Sequence, residues 1–522
     1  MAPHNRRPQA HFWLALLTVT VLLASCASPV PTPNPRPTAV RTSAVPAATT
    51  APTPTTSPPE PPTATPGPLA SPAPSPSVGP DLAISTVARA LPDPSAAKTA
   101  AAAIDAFGLD LFRRLLADPS LALSKKNAVF SPTSIALALA MARAGARGQT
   151  ATQMDAVLRA SGAKALLTGL NGLDQALASR QALFTDEQGS PQVEPALRIA
   201  NAAYFQRGWS IEQPYLDALA SAFGAGLRLV DFQGDPEGAR KTIDAWVGDQ
   251  TAGQIPELLA PSDVGALTRF VLANAVYLKA QWEWWFDPDT KPAPFSRLDG
   301  TQVQVPTMHR NGPIEGGFPI PYVAGTGWQA VELRYLMAEG SAPLAMTLIL
   351  PDDLAGFEAH LTPAQLARIT AALAQQHEAS VRVGPCSGSL AGYQGGCYPY
   401  ELSLYLPRFS IETRANLVPA LTALGMPLAF GQGSADFTGI HVPSEIAISP
   451  AVHQATIDVD EKGTTASAAT ALGGYGAVGG PMPQRKITVR FDRPFLFLLR
   501  DIDTGAVLFM GQVTDPSMGK GS

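Results

Sequence analysis

Between residues 96 and 516 the alternation of apolar and polar positions changes period several times. Ala96 to Leu116 places Ile104, Phe107, Leu111 and Leu115 at helical spacing, which predicts an amphipathic helix. Asn127 to Phe130 reads as a short strand. Ser131-Pro132 follows, an N-cap residue before a proline at the first helical position, and predicts a helix through Ile135 and Met141 to Gly145. Its small residues, 136 to 146, predict close packing on another element. Thr150 and Gln153 have the spacing of a capping box for the next helix. Leu197 to Phe205, Phe270 to Leu278 and Leu344 to Leu350 are strand-like runs. Phe495 to Leu499 and Ala506 to Met510 predict two buried strands joined by a hairpin loop, Asp501 to Gly505. The class expected is α+β, with helices concentrated in the first half and sheet in the second.

The pattern is different at both ends of this region. Arg6 and Arg7 precede an apolar run, Phe12 to Leu23, too short to span a bilayer comfortably. It ends in Leu23-Ala24-Ser25-Cys26, which resembles the lipobox of bacterial lipoproteins, where cleavage precedes an acylated cysteine. The competing reading is an ordinary secretory signal with an incidental cysteine; both imply export. Residues 27 to 80 hold 18 prolines, no aromatic residue and three charges. Such a segment cannot bury enough apolar surface to offset its chain entropy. It is expected to form an extended stalk at up to about 3.1 Å per residue. The divisions expected are a signal at 1–25, a stalk at 26–94, a folded unit at 95–516 and a tail at 517–522.

Composition narrows the function by exclusion. The chain has 522 residues, 37 Lys plus Arg against 42 Asp plus Glu, and a net charge of −5. That balance gives no electrostatic footprint for nucleic acid. The seven histidines fall in no metal-ligating spacing, and there is no nucleophile elbow or phosphate loop. Gly474-Tyr475-Gly476-Ala477-Val478-Gly479 matches a dinucleotide fingerprint only in letters. Gly480-Pro481 follows where a helix would have to open. No cofactor, no metal and no enzymatic activity are expected. Cys386 and Cys397 lie in a glycine-rich stretch and read as a local disulfide in an exported chain, worth about 2–3 kcal/mol, with a redox or metal pair as the alternative.

Several stretches together resemble the serpin family over nearly all of 96 to 516. They are "NAVFSPTSIALALAMARAGARGQTATQM", "NAVYLKAQWEWWF", "LPRFSIET", "LGMPLAF", "AVHQATIDVDEKGTTASAAT", "DRPFLFLLRD" and "GAVLFMGQV", in that order. The resemblance implies one domain with three β-sheets, about nine helices and an exposed reactive-centre loop near the C-terminus. It implies a shutter at Ser131, Ser134, Asn274 and His453, and a breach tryptophan at Trp282. Each of these also reads as an ordinary buried residue. It further implies a hinge at Glu461 and Gly463, with Gly463 supplying the dihedral freedom of a sharp fold.

A serpin traps its protease by offering the loop as substrate and then inserting the cleaved loop into the main sheet. The residues turned inward would be Thr464, Ala466, Ala468, Thr470 and Leu472, all uncharged. Five glycines appear only afterwards, from 473 to 480. The family's usual count places the reactive bond at Ala477-Val478. Tyr475 and Arg485 are alternatives, because the loop is longer than usual. The expected partners are a serine protease in covalent complex and a membrane reached through lipidated Cys26. The folded unit is expected to be monomeric and extracytoplasmic. A non-inhibitory binding module and an inhibitor of a cysteine protease are the competing functions.

Overall fold

The computed structural model describes residues 81–185, 191–312, 320–341, 343–382, 400–443, 446–464 and 486–519. Cys26, Cys386, Cys397 and the loop residues Ala466, Ala468, Thr470, Tyr475, Ala477, Val478 and Arg485 lie outside them. Among the described residues there are nine α-helices, three large β-sheets and a two-stranded ribbon, Gln181–Thr185 with Pro191–Pro195.

The main sheet runs in the order Asp81–Ala83, Leu227–Val230, Leu197–Gln206, Phe270–Leu278, Ala451–Val459, with Phe409–Asn416 on the far side of the last. Phe270–Leu278 shows why a central strand reads as continuous apolar sequence: all nine residues are buried. Phe270, Leu272, Val276 and Leu278 pack into the main core. Val271, Ala273 and Ala275 point the other way, under Ile243 and Val247 of the helix Pro236–Gln250. A strand covered on both faces has no polar side to show.

Two further sheets close the body. One contains Tyr322–Gly325, Trp328–Arg334, Leu344–Pro351, Phe495–Asp501, Val507–Val513 and Ala128–Phe130 in that order. The other contains Lys486–Arg490, Glu401–Pro407, Gln302–Gly312 and Lys291–Ser296. The hairpin between Asp501 and Val507 is fixed by the Asp501 carboxylate, which accepts from Thr504 N at 2.8 Å, and by Gly505 at φ +83°.

The helix Pro132–Gly145 runs beneath the main sheet, and all fourteen of its residues are buried. Ser131 caps it as the sequence predicts, accepting from Ser134 N at 3.1 Å. Its small residues are needed for space: a Cβ on Gly145 would stand 2.1 Å from Ile440 Cγ1.

Two expectations change. The next helix, Gly148–Val157, starts before Thr150, so Thr150 and Gln153 form no capping box. Their side chains turn to another segment instead. Thr150 Oγ1 accepts from Asp436 N at 2.9 Å and Gln153 Oε1 from Leu428 N at 3.1 Å. The folded unit also begins before residue 95. Residues 81 to 93 are docked on the folded unit, beginning with the edge strand Asp81–Ala83, and Asp93 caps the first helix, Pro94–Ala117. Unpaired backbone at a sheet edge accepts an extended segment of almost any composition, so proline and serine content did not mark the boundary.

Candidate functional site

Two neighbouring strands of the main sheet, Phe270–Leu278 and Ala451–Val459, define the site. They run parallel and pair from Leu272–Ala451 to Val276–Ala455. Above Ala455 they part. At the far end the gap holds a two-residue strand, Gly463–Thr464. It pairs antiparallel with Val459 on one side and with Ala280–Gln281 on the other. The sheet is thus closed below and split above, with a short wedge in the split. Thr456, on the open stretch, is buried, and its hydroxyl has no hydrogen-bond partner among the described residues.

Ser131, Ser134, Asn274 and His453 meet in one buried cluster at the closed end. His453 and Asn274 are register partners, as are Asn274 and Asn201. Ser131 N donates to His453 Nε2 at 3.0 Å. A backbone N–H can only donate, so Nε2 is the bare nitrogen of a neutral ring. The proton is on Nδ1, which donates to Asn274 Oδ1. Asn274 Nδ2 donates to Ser134 Oγ at 2.6 Å and to Asn201 Oδ1 at 2.5 Å. Burial pushes the His453 pKa down to about 3. The cluster therefore ties the cap of the Pro132–Gly145 helix to three adjacent strands.

Trp282 lies at the split end and is fully buried. Its ring stacks on Tyr335 at 4.5 Å, and its Nε1 donates to Asp460 O at 2.9 Å. Its backbone N donates to Lys462 O at 2.7 Å. Tyr335 in turn shares a 2.7 Å hydrogen bond with Thr464 Oγ1. The tryptophan is core, and it also holds the turn from which the wedge emerges.

That turn, Asp460 to Gly463, is held from inside and outside. Asp460 Oδ1 accepts from Lys462 N at 2.8 Å and Gly463 N at 3.0 Å. Burial raises the Asp460 pKa and these two donors oppose the rise. Glu461 is half-buried, and burial alone would raise it. Hydrogen bonds from Arg408, at 2.8 Å, and from Thr290 outweigh burial and hold its carboxyl below the usual range.

Gly463 corrects an expectation. Its φ is not in the left-handed region, so dihedral freedom is not what this position uses. It uses space. A Cβ would stand 2.2 Å from Ala280 O and 2.7 Å from Gln281 Cα, so only glycine lets the wedge approach the facing strand.

The sequence reading missed Asn201, Tyr335, Arg408 and Thr290. A signal existed for Asn201: "ANAAYF" at 200–205 and "ANAVYL" at 273–278 are near copies, each with one asparagine in an apolar strand. The other three come from segments distant in sequence and carry no local mark. Among the described residues, no group of acidic, histidine or cysteine side chains is arranged to hold a metal ion.

This architecture is a mixed main sheet split beside a two-residue wedge. The model of the serpin (serine protease inhibitor) family matches residues 102–516, and the chain belongs to that family. An uncharacterised serpin-like protein of Thermococcus kodakarensis is 34% identical over 420 residues, covering 80% of this chain and 86% of its own. The leukocyte elastase inhibitor of Homo sapiens is 32% identical over 417 residues, covering 78% and 97%. Among solved structures, tengpin, a thermophilic serpin in its native state, superposes with a TM-score of 0.62 at 23% identity, covering 82% of this chain and 96% of its own. Uncleaved ovalbumin gives 0.61 at 25% identity, covering 80% and 100%.

Proposed function

We propose that this protein inhibits a serine protease by acting as a suicide substrate. The observation that carries the proposal is the half-open main sheet. Gly463–Thr464 already occupies the top of the slot, while below it Phe270–Leu278 and Ala451–Val459 still pair with each other. The protease serine attacks the bond Ala477-Val478, with Tyr475 and Arg485 marking the alternative bonds. The peptide bond breaks, an acyl ester forms on the serine, and the new amine stays on the segment leading to Lys486–Arg490. The freed end of the loop then follows Thr464 into the slot as a new strand, carrying the acylated protease with it.

The energy for this step comes from the sheet. A strand entering antiparallel replaces one parallel contact by two antiparallel ones, which are slightly more stable per residue. It also gives backbone partners to the open stretch above Ala455 and buries small side chains. The small residue before the proposed bond, and the elastase inhibitors among the relatives, favour an elastase-like or subtilisin-like target. The lipobox-like Cys26 and the proline-rich segment fit an extracytoplasmic protein held on a membrane by a lipidated tether.

Incubation of the purified protein with elastase, subtilisin, chymotrypsin and trypsin tests the reading. A covalent complex that survives SDS is expected with at least one of them. Clean cleavage with no complex and no lasting inhibition would overturn it, in favour of a non-inhibitory binding module. The mass of the released C-terminal peptide locates the bond.

A further inference from the structure

Residues 81 to 93 precede the part of the chain that matches the family, yet the body has a site built for them. Asp81–Ala83 pairs antiparallel with the outermost main-sheet strand, Leu227–Val230. Ser85 Oγ donates to Asp217 on the helix Gln213–Phe223 at 2.6 Å, and Ala90 N donates to Ser221 O on the same helix at 2.9 Å. Arg89 reaches the helix Ala163–Ala178, donating to Asn171 Oδ1 at 3.1 Å and pairing with Asp174 at 2.5 Å.

The receiving residues are chosen for this segment. Asn171 is buried to 2% exposure on the apolar side of its helix. Its amide donates to Ala90 O at 3.1 Å and to Leu91 O at 3.2 Å. Both donors of this buried amide thus go to the backbone of the segment. Two glycines open the track. A Cβ on Gly226 would stand 2.5 Å from Ala83 O, and one on Gly172 would stand 2.6 Å from Asp93 O.

The segment thus bonds the outer strand of the main sheet to two helices at once. One of these, Ala163–Ala178, packs on Pro94–Ala117 and on Pro132–Gly145, the helix whose cap is bonded to His453. Admitting another strand beside Ala451–Val459 moves the sheet's halves apart by about 4.8 Å, one strand spacing. The outer strand must then slide over helices to which residues 81 to 93 bind it. We propose that this segment is a clamp that holds the main sheet unexpanded and sets how readily a further strand enters. The proposal rests on the insertion reading above, and its readout does not require a protease.

The test uses the full chain warmed below its unfolding temperature. Conversion to a loop-inserted form is followed by the appearance of a species resistant to urea. Arg89→Glu is expected to convert at least about tenfold faster than wild type, the effect of roughly one lost charge-assisted bond. Adding Asp174→Arg restores the ion pair with its charges exchanged and should recover much of the slow rate. Leu298→Ala, at an exposed residue outside the segment and its partners, should convert at the wild-type rate. Unchanged conversion in Arg89→Glu overturns the clamp, and so does equal weakening of native and converted forms in urea. If no variant converts at any temperature, the clamp is likewise wrong. If conversion responds as expected while no protease is trapped, the inhibitory reading fails and the clamp stands.

Discussion

His453 and Asn274 face each other across the two strands that must separate for anything to enter the main sheet, and the imidazole donates directly to the amide. Their contact closes the lower end of the slot, and Ser131 and Ser134 bind it to the helix beneath. The same ring is neutral and fully buried, which makes the closure sensitive to acid.

With its folded pKa lowered to about 3 from an ordinary 6.5, His453 binds fewer protons in the native state than in the unfolded chain between those values. Its contribution to stability is therefore complete above pH 6.5 and is lost as pH falls toward 3, by up to about 1.4 kcal/mol per unit. Burial of Asp105, raised to about 7, acts in the opposite direction, so the comparison has to be made against a variant. In urea unfolding at pH 7.5 and 4.5, wild type should lose more stability than His453→Gln. Equal losses would show that the ring does not govern the acid response.

Gly463→Ala should drive the wedge out of the sheet. The added methyl meets backbone at Ala280 and Gln281, which cannot rotate away. The expected cost to the native state is about 1–3 kcal/mol, as for overpacking elsewhere. Hydrogen exchange at Gly463 and Thr464 should rise, while exchange at Asn274 stays slow. Protection at Thr464 equal to wild type would refute the spatial account of this glycine.

Ala468→Arg should turn the inhibitor into a substrate. Insertion would bury an unpaired guanidinium or stall, and the acyl-enzyme would hydrolyse first. The ratio of cleaved to complexed protein should rise at least about tenfold, as for a barrier raised by roughly 1.4 kcal/mol. Trapping as efficient as that of wild type would mean residue 468 never enters the sheet.

On the proposed lipid tether, Cys26→Ala should release the protein from membranes into the soluble fraction after export. Persistent membrane association would assign the anchor to the uncleaved run, Phe12 to Leu23.

Much of the fold was legible because its signals are local. Ser131-Pro132 stands directly before a helical run and caps it, and Phe270 to Leu278 is a continuous apolar run that forms a strand buried on both faces. The Thr150–Gln153 spacing misled because a capping box looks the same whether its hydroxyl caps its own helix or bonds a distant backbone. Here the distant partner Asp436 wins. Within the site, Ser131, Ser134, Asn274 and His453 could be named only through the family resemblance, since each alone reads as an ordinary buried polar residue. Arg408, Tyr335 and Thr290 could not, since each is an unremarkable residue until the chain brings it to Glu461 or Thr464. The docking of residues 81 to 93 was hidden for the same reason: its hydrogen-bond partners on the two helices lie 80 or more positions away.

The pairing of Val459 with Thr464 sets a ruler for the loop. If the ladder continues in that register, Ile457 stands opposite residue 466, Ala455 opposite 468, His453 opposite 470 and Ala451 opposite 472. The strand Ala451–Val459 then has no more positions to offer. The chain changes character at that point, with five glycines from Gly473 to Gly480. The last inward position but one, Thr470, would arrive between His453 and Asn274 and take the place of the contact that had kept them together. On the proposed mechanism, the length of one strand, fixed elsewhere in the sequence, thus sets how much of the loop can enter the sheet and how much is left to meet a protease.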